Sequence, residues 1–204
     1  MRRTKAEAEE TRQRILEAAE HVFYRKGVST ATLDDVASEA GVTRGAIYWH
    51  FANKTDLVLE LYNSVPLPQA DMLACEVAAG TTGALAVIQR TASDWLEMFA
   101  RDQQRQRILT ILLRSDYSGE LVTLLESQQH CDDAHMALLE DAFGVAARHA
   151  ELGPGWSPQS AARALKWTMQ GMCTDWLLFG RRFDLAARGR EALSALFASF
   201  APGR

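Results

Sequence analysis

The chain has 204 residues, 48% of them hydrophobic and 24% charged, with a formal net charge of −4. That length holds one large or two small cores, and the balance of apolar and charged residues excludes a disordered, collagenous or low-complexity chain. The opening residues are charged, and the most hydrophobic stretch, 161–179, carries Arg163, Lys166, Gln170 and Asp175, so neither a secretion signal nor a membrane span is expected.

Helical periodicity dominates and no strand alternation stands out, which predicts an all-α protein. After a short cationic arm with Arg2, Arg3 and Lys5, the first helix sets Ile15, Ala19, Val22 and Phe23 on one face and ends near Gly27. The second is a short helix with Thr32 as N-cap, Asp35 three residues on to complete a capping box, and Gly41 closing it in a tight turn. Thr43 caps the third, whose inward face is Ile47 and Phe51 at i, i+4, leaving Arg44, Gly45, Tyr48 and His50 outward or at its end. Helix, glycine turn, helix is the helix-turn-helix pattern. The first helix covers it against Leu33, Val36, Ala37 and Ile47, making a three-helix domain over residues 1–52.

The residue types on that surface suit DNA. A reading helix must bring its first turn near base edges, and Gly45 and Ala46 keep that turn small beside Arg44. The Arg44 guanidinium can span guanine O6 and N7 with two parallel donors, as a lysine cannot. Thr32, Thr43, Tyr48, His50 and Lys54 offer donors to phosphates, and the helix starts after Thr32 and Asn53 add backbone amides. Arg3 in the arm suits a minor groove or a phosphate track, a frayed terminus being an equal alternative. Residues 1–60 hold nine Lys and Arg against ten Asp and Glu, so any cationic footprint is local. The competing structural reading makes Tyr48 and Trp49 core aromatics.

Asn53 caps a fourth helix carrying Leu57 and Leu61, the connector into a second domain over residues 53–204. Pro66 and Pro68 must kink or break it, and a joint there is expected to transmit signal between the domains, the alternative being that they merely end the helix where a loop begins. A fifth helix covers about 84–100, with Leu85, Ile88, Ala92, Trp95 and Phe99 on one stripe. A sixth, about 103–115, contributes Ile108, Ile111 and Leu112, and a seventh runs over about 118–150. After the loop 152–158, Ser157 and Pro158 start an eighth helix reaching Gly180. Asp184 precedes a ninth with Leu193, Leu196, Phe197 and Phe200 inward.

The second domain reads as helical ligand-binding and dimerisation structure. Helix eight is apolar on two sides, with Leu165, Met169, Met172, Trp176 and Phe179 on one and Ala164, Trp167, Gly171, Thr174 and Leu178 on the other. Trp167, Gly171 and Leu178, with Leu193 and Phe197 of helix nine, are the expected dimer contacts; a central helix of a monomeric bundle is the alternative. Trp95, Phe99, Met136, Met172 and Trp176 are a candidate apolar pocket, since methionines repack and aromatic faces accept flat or cationic ligands. Gln128, Asp132 and His135 share one face of helix seven and are candidates to orient ligand polar groups, or form a solvated edge. Cys131 and His135 have chelating i, i+4 spacing, but two ligands do not make a structural zinc site, so no metal is assigned. Three widely spaced cysteines, Cys75, Cys131 and Cys173, suit a cytoplasmic setting better than a disulfide framework. No phosphate loop, Gly-x-Ser-x-Gly elbow or His-Glu-x-x-His pair is present, so no enzyme and no cofactor is expected.

With these motifs assembled, the chain resembles the TetR family of bacterial transcriptional regulators, in particular the AcrR-like group that represses multidrug efflux operons. The resemblance covers residues 4–60, through Arg2-Arg-Thr-Lys5, the run from Thr11 to Ala19, Phe23 to Val28, and Thr43 to Phe51. Beyond residue 80 it rests on total length, helical layout and Phe183-Asp-Leu before an apolar helix. It implies a homodimer on a palindromic operator with helix three in the major groove, contacts from Arg44, Gly45, Tyr48, His50 and Lys54, and release by hydrophobic drug-like effectors. A sensor of an endogenous metabolite is the alternative within this class, and an enzyme acting on a small apolar compound the alternative outside it.

Overall fold

The computed structural model describes residues 5–64, 82–117 and 121–203. Among them are nine helices and no strand, as the all-α reading expects: α1 (Lys5–Lys26), α2 (Leu33–Ala40), α3 (Arg44–His50), α4 (Lys54–Asn63), α5 (Ala84–Arg101), α6 (Gln103–Leu113), α7 (Val122–Arg148), α8 (Pro158–Leu178) and α9 (Leu185–Phe200). They fall into two compact units that do not follow chain order. One combines residues 1–66 with 104–128, the other 67–103 with 129–204. Pro66 and Pro68 lie outside the described residues, as does Arg3.

The first unit is built on α1. Ile15, Ala19, Val22 and Phe23 of its inner face are fully buried with Val36, Ile47, Phe51 and Leu57. Each large apolar side chain so buried contributes about 1.5 to 3 kcal/mol. Short α2 cannot hold itself by length, and its ends are therefore fixed locally. Thr32 Oγ1 accepts the Asp35 amide at 3.1 Å and Asp35 Oδ2 accepts the Thr32 amide at 3.0 Å. At the other end Gly41 takes φ +64°, a left-handed conformation that glycine adopts without strain. Lys26 also donates to Asp35, and this bond and the Thr32 bonds hold the carboxyl down at about 2. Arg12 of α1 lies over the Phe51 ring and pairs with Glu60 of α4, tying three elements.

Polar groups inside this unit were not read from the sequence. Glu20, 2% exposed on α1, accepts from Arg107 and from Gln104 at 3.1 Å, both on α6. Arg105, Gln106 and Thr110 of α6 are buried alongside the expected Ile108, Ile111 and Leu112. A buried carboxylate is tolerable because two donors meet it.

In the second unit α9 packs closely on α5, with α8 beside it. The approach depends on Gly189, where a Cβ would fall 2.4 Å from Leu96 Cδ1. Gly83 supplies no side-chain cap for α5, and the Glu151 carboxylate replaces it by accepting the amides of Gly83 and Leu85. Ser157 with Pro158 begins α8 as expected, and Asp184, expected to precede α9, also caps it by accepting the Ala187 amide. Phe143, Phe197, Phe200 and Trp156 form one aromatic cluster, with the Trp156 and Phe200 rings edge to face at 4.8 Å. This corrects one expectation. Leu193 at 0% and Phe197 at 5% exposure are used up inside the protomer and leave no surface for a second subunit. No described helix is long and apolar enough to cross a membrane.

Candidate functional site

The geometry of α3 follows from its two buried anchors. With Ile47 and Phe51 inward, residues two positions away point about 200° round the helix and must face out. Trp49, two positions from each, is exposed accordingly at 73%, and Tyr48, one position past Ile47 on the flank of the helix, is exposed at 49%, which removes the core-aromatic reading. Trp49, absent from the expected DNA contacts, stands outside because of its two-residue offset from Ile47. Its ring meets the His50 imidazole edge to face at 4.6 Å.

Arg44 is the first residue of α3. Thr43 Oγ1 accepts the Ala46 amide at 3.2 Å, leaving the hydroxyl proton of this exposed cap able to donate outward. Thr32 stands the same way at the start of α2. The Arg44 guanidinium donates to Asp34 Oδ2 at 3.0 Å and to the Tyr48 hydroxyl at 3.1 Å. Lys54 differs from the expectation of a simple phosphate donor. Its Nζ donates to the carbonyls of Ala31 at 3.2 Å and Ser29 at 3.4 Å, joining the start of α4 to the loop before α2.

Gly45 has no internal need to be glycine. Its φ is not left-handed, and an added Cβ would meet only Thr43 Oγ1 at 3.9 Å. Gly45→Ala is expected to raise the stability of the free protein by about 0.5 kcal/mol, from lost backbone freedom in the unfolded chain. If α3 enters the major groove, it is also expected to weaken DNA binding severalfold, because the methyl would fill space that a base or sugar needs. Thermal unfolding and duplex binding check the two effects, and unchanged binding would mean that nothing approaches α3 there.

Of the other candidate site residues, Gln128 belongs to the first unit and the rest to the second. Trp95 and Phe99 stack at 5.0 Å with rings 5° from parallel, and Trp176 lies 6.2 Å from Phe99, so three members of the apolar set come together. Trp176 donates to the Phe183 carbonyl at 2.9 Å, and Arg181 covers its ring at 5.3 Å. Met136 and Met172 are half-buried. The three polar candidates separate: Gln128 donates to the Tyr117 hydroxyl at 3.1 Å, Asp132 pairs with Lys166, and His135 Nδ1 is buried with no hydrogen-bond partner among the described residues. Burial lowers the His135 pKa, the Asp132 charge opposing and Lys166 reinforcing the shift. An open cleft of about 510 Å³ is lined by Asp94, Glu97, Met98, Arg101 and Asp102, too charged for an apolar ligand. Among the described residues no group of three metal-type ligands assembles, and burial pushes the Cys173 thiol up to about 12.

On α8, Trp167, Gly171 and Leu178 are exposed along one stripe, with Trp167 at 65%. The opposite side, through Leu165, Cys173 and Trp176, is buried. The two-sided apolar pattern therefore divides into a core face and an outward face.

Residues 15–61, spanning α1 to α4, match the family described as bacterial regulatory proteins, tetR family. The whole chain is similar to the helix-turn-helix transcriptional repressor BepR of Brucella suis biovar 1 (strain 1330), 36% identical over 98% of this chain and 96% of the relative. The chain belongs to the tetR family. Among solved structures, this tetR-family chain is similar to NalD, the secondary repressor of the MexAB-OprM multidrug efflux pump in Pseudomonas aeruginosa. That likeness has a TM-score of 0.86 at 34% identity, covering 97% of this chain and 98% of NalD. SmeT, solved in complex with triclosan, matches with a TM-score of 0.80 at 30% identity over 95% and 96% of the two chains.

Proposed function

We propose that this tetR-family regulator represses a multidrug efflux operon as a homodimer and releases its operator when a hydrophobic drug-like compound binds the second domain. The observation that carries the reading is the near full-length likeness to an efflux-pump repressor, since it extends through the second domain as well as the helix-turn-helix. Arg44 reads a base. Thr32, Thr43, Tyr48 and His50 set the register on phosphates, Lys54 adds its remaining donor, and Gly45 lets the helix approach. The outward stripe of α8 pairs with its symmetry mate. Effectors bind near Trp95, Phe99 and Trp176, with Met136 and Met172 adapting to shape and His135 offering an unused polar atom, while Gln128 and Asp132 support the helix that carries it.

Release then needs only that effector and DNA favour different members of one conformational equilibrium, and the antagonism is reciprocal. The test uses DNA flanking the protein's own gene, with triclosan as probe because SmeT binds it. Triclosan is expected to quench tryptophan fluorescence and dissociate the complex over the same concentration range. Quenching without release would remove the antagonism, and neither effect would remove this effector class.

A further inference from the structure

We infer that Asp34 is a positioning residue for base readout: with Tyr48 it holds the Arg44 guanidinium in a fixed plane, so that Arg44 selects guanine instead of following phosphates. The inference rests on the assignment of Arg44 as the base-reading residue.

The pair makes little sense as a stabilising contact. Side chains of Arg44 and Asp34 are 54% and 64% exposed, and an ion pair so open to solvent contributes little to folding. Nor is Asp34 needed to start α2, because Thr32 and Asp35 already complete the capping box there. Yet it places a carboxylate on the face proposed to meet a polyanion, where an unpaired negative charge weakens every complex alike. Its geometry gives it another use. Asp34 takes Nη1 of Arg44 from α2, and the Tyr48 hydroxyl, one turn along α3, takes Nη2. The Tyr48 ring also lies 5.6 Å from the guanidinium carbon.

Two anchors from two helices fix both the position and the plane of a side chain with many rotamers. Each Nη carries two protons, so one bond to each leaves a second proton on both. Two parallel donors are what guanine O6 and N7 require. Held in this way, Arg44 loses little freedom on meeting guanine and cannot swing to a neighbouring phosphate without giving up Asp34. Asp34 therefore acts against the wrong site as much as for the right one.

The test compares the parent, Asp34→Asn, Arg44→Ala and the double variant. The DNA is a duplex selected by the parent from a random-sequence library, the same duplex with each guanine replaced in turn, and an unrelated duplex. Asp34→Asn is expected to reduce preference for the guanine read by Arg44 about three- to tenfold. Affinity for unrelated DNA should rise and its salt dependence steepen, because a freed arginine adds a phosphate contact. In the Arg44→Ala background the same substitution should leave base preference unchanged, since the two residues act as one unit. Unaltered preference in Asp34→Asn, or an equal change with and without Arg44, overturns the inference and leaves the base-reading assignment standing. If Arg44→Ala itself keeps the parent's base preference, that assignment fails and the inference with it. Both side chains are exposed, so thermal unfolding should be the same for all four proteins.

Discussion

Arg44→Ala is expected to cost operator binding about 1 to 3 kcal/mol for each half-site and to relax preference at one base pair in each. On a palindrome both protomers lose the contact, so the cost doubles, to about 2 to 6 kcal/mol, or roughly 1.5 to 4 decades in Kd. The loss should fall on specific binding. Binding to unrelated DNA should stay close to that of the parent, since in the free protein Arg44 is already committed to Asp34 and Tyr48. Electrophoretic mobility or fluorescence anisotropy on operator and unrelated duplexes checks this, and equal losses on both would make Arg44 a phosphate contact. Lys54→Ala supplies the contrast. Its ammonium holds the carbonyls of Ser29 and Ala31, so its removal should loosen the loop before α2 and lower affinity without regard to sequence.

The parts of this structure that were legible in the sequence are those decided by a few adjacent residues. Thr32 and Asp35 define one end of α2 and Gly41 the other, because a capping box and a left-handed turn are local chemistry. Ile47 and Phe51 at i, i+4 sufficed to orient α3, and with it the exposed face that carries Arg44, Gly45 and Tyr48. What was not legible depends on partners far along the chain. Glu20 looks like any solvated helix residue until Gln104 and Arg107 arrive from α6, more than eighty positions away. Asp34 likewise reads as a first-turn helix acid, and only the α2 to α3 turn places it against Arg44. Leu193 and Phe197 show the same limit in reverse. Periodicity marks an apolar stripe but does not say whether α5 and α7 or a second subunit covers it, and here Leu96 approaches at Gly189 and Phe143 at Phe197.

That correction sharpens the expected behaviour of the proposed dimer. Phe197 has 5% exposure, so a charge placed there should unfold the protomer and say nothing about assembly. Trp167 is different. It is 65% exposed on the outward stripe of α8, with Gly171 one turn along and Leu178 beyond. Trp167→Glu is therefore expected to leave thermal unfolding of the protomer within about 0.5 kcal/mol, as for other surface substitutions. In a two-fold interface the same residue enters twice, and an interfacial tryptophan is commonly worth about 2 kcal/mol or more. The pair should weaken association by about 4 kcal/mol, roughly three decades in the dimer constant. At micromolar concentration the variant should sediment as a monomer, and operator binding should fall at specific and substituted sites alike, because each half-site then binds alone. An intact Trp167→Glu dimer would place the interface on another face of the second domain, and α8's outward stripe would need a different partner.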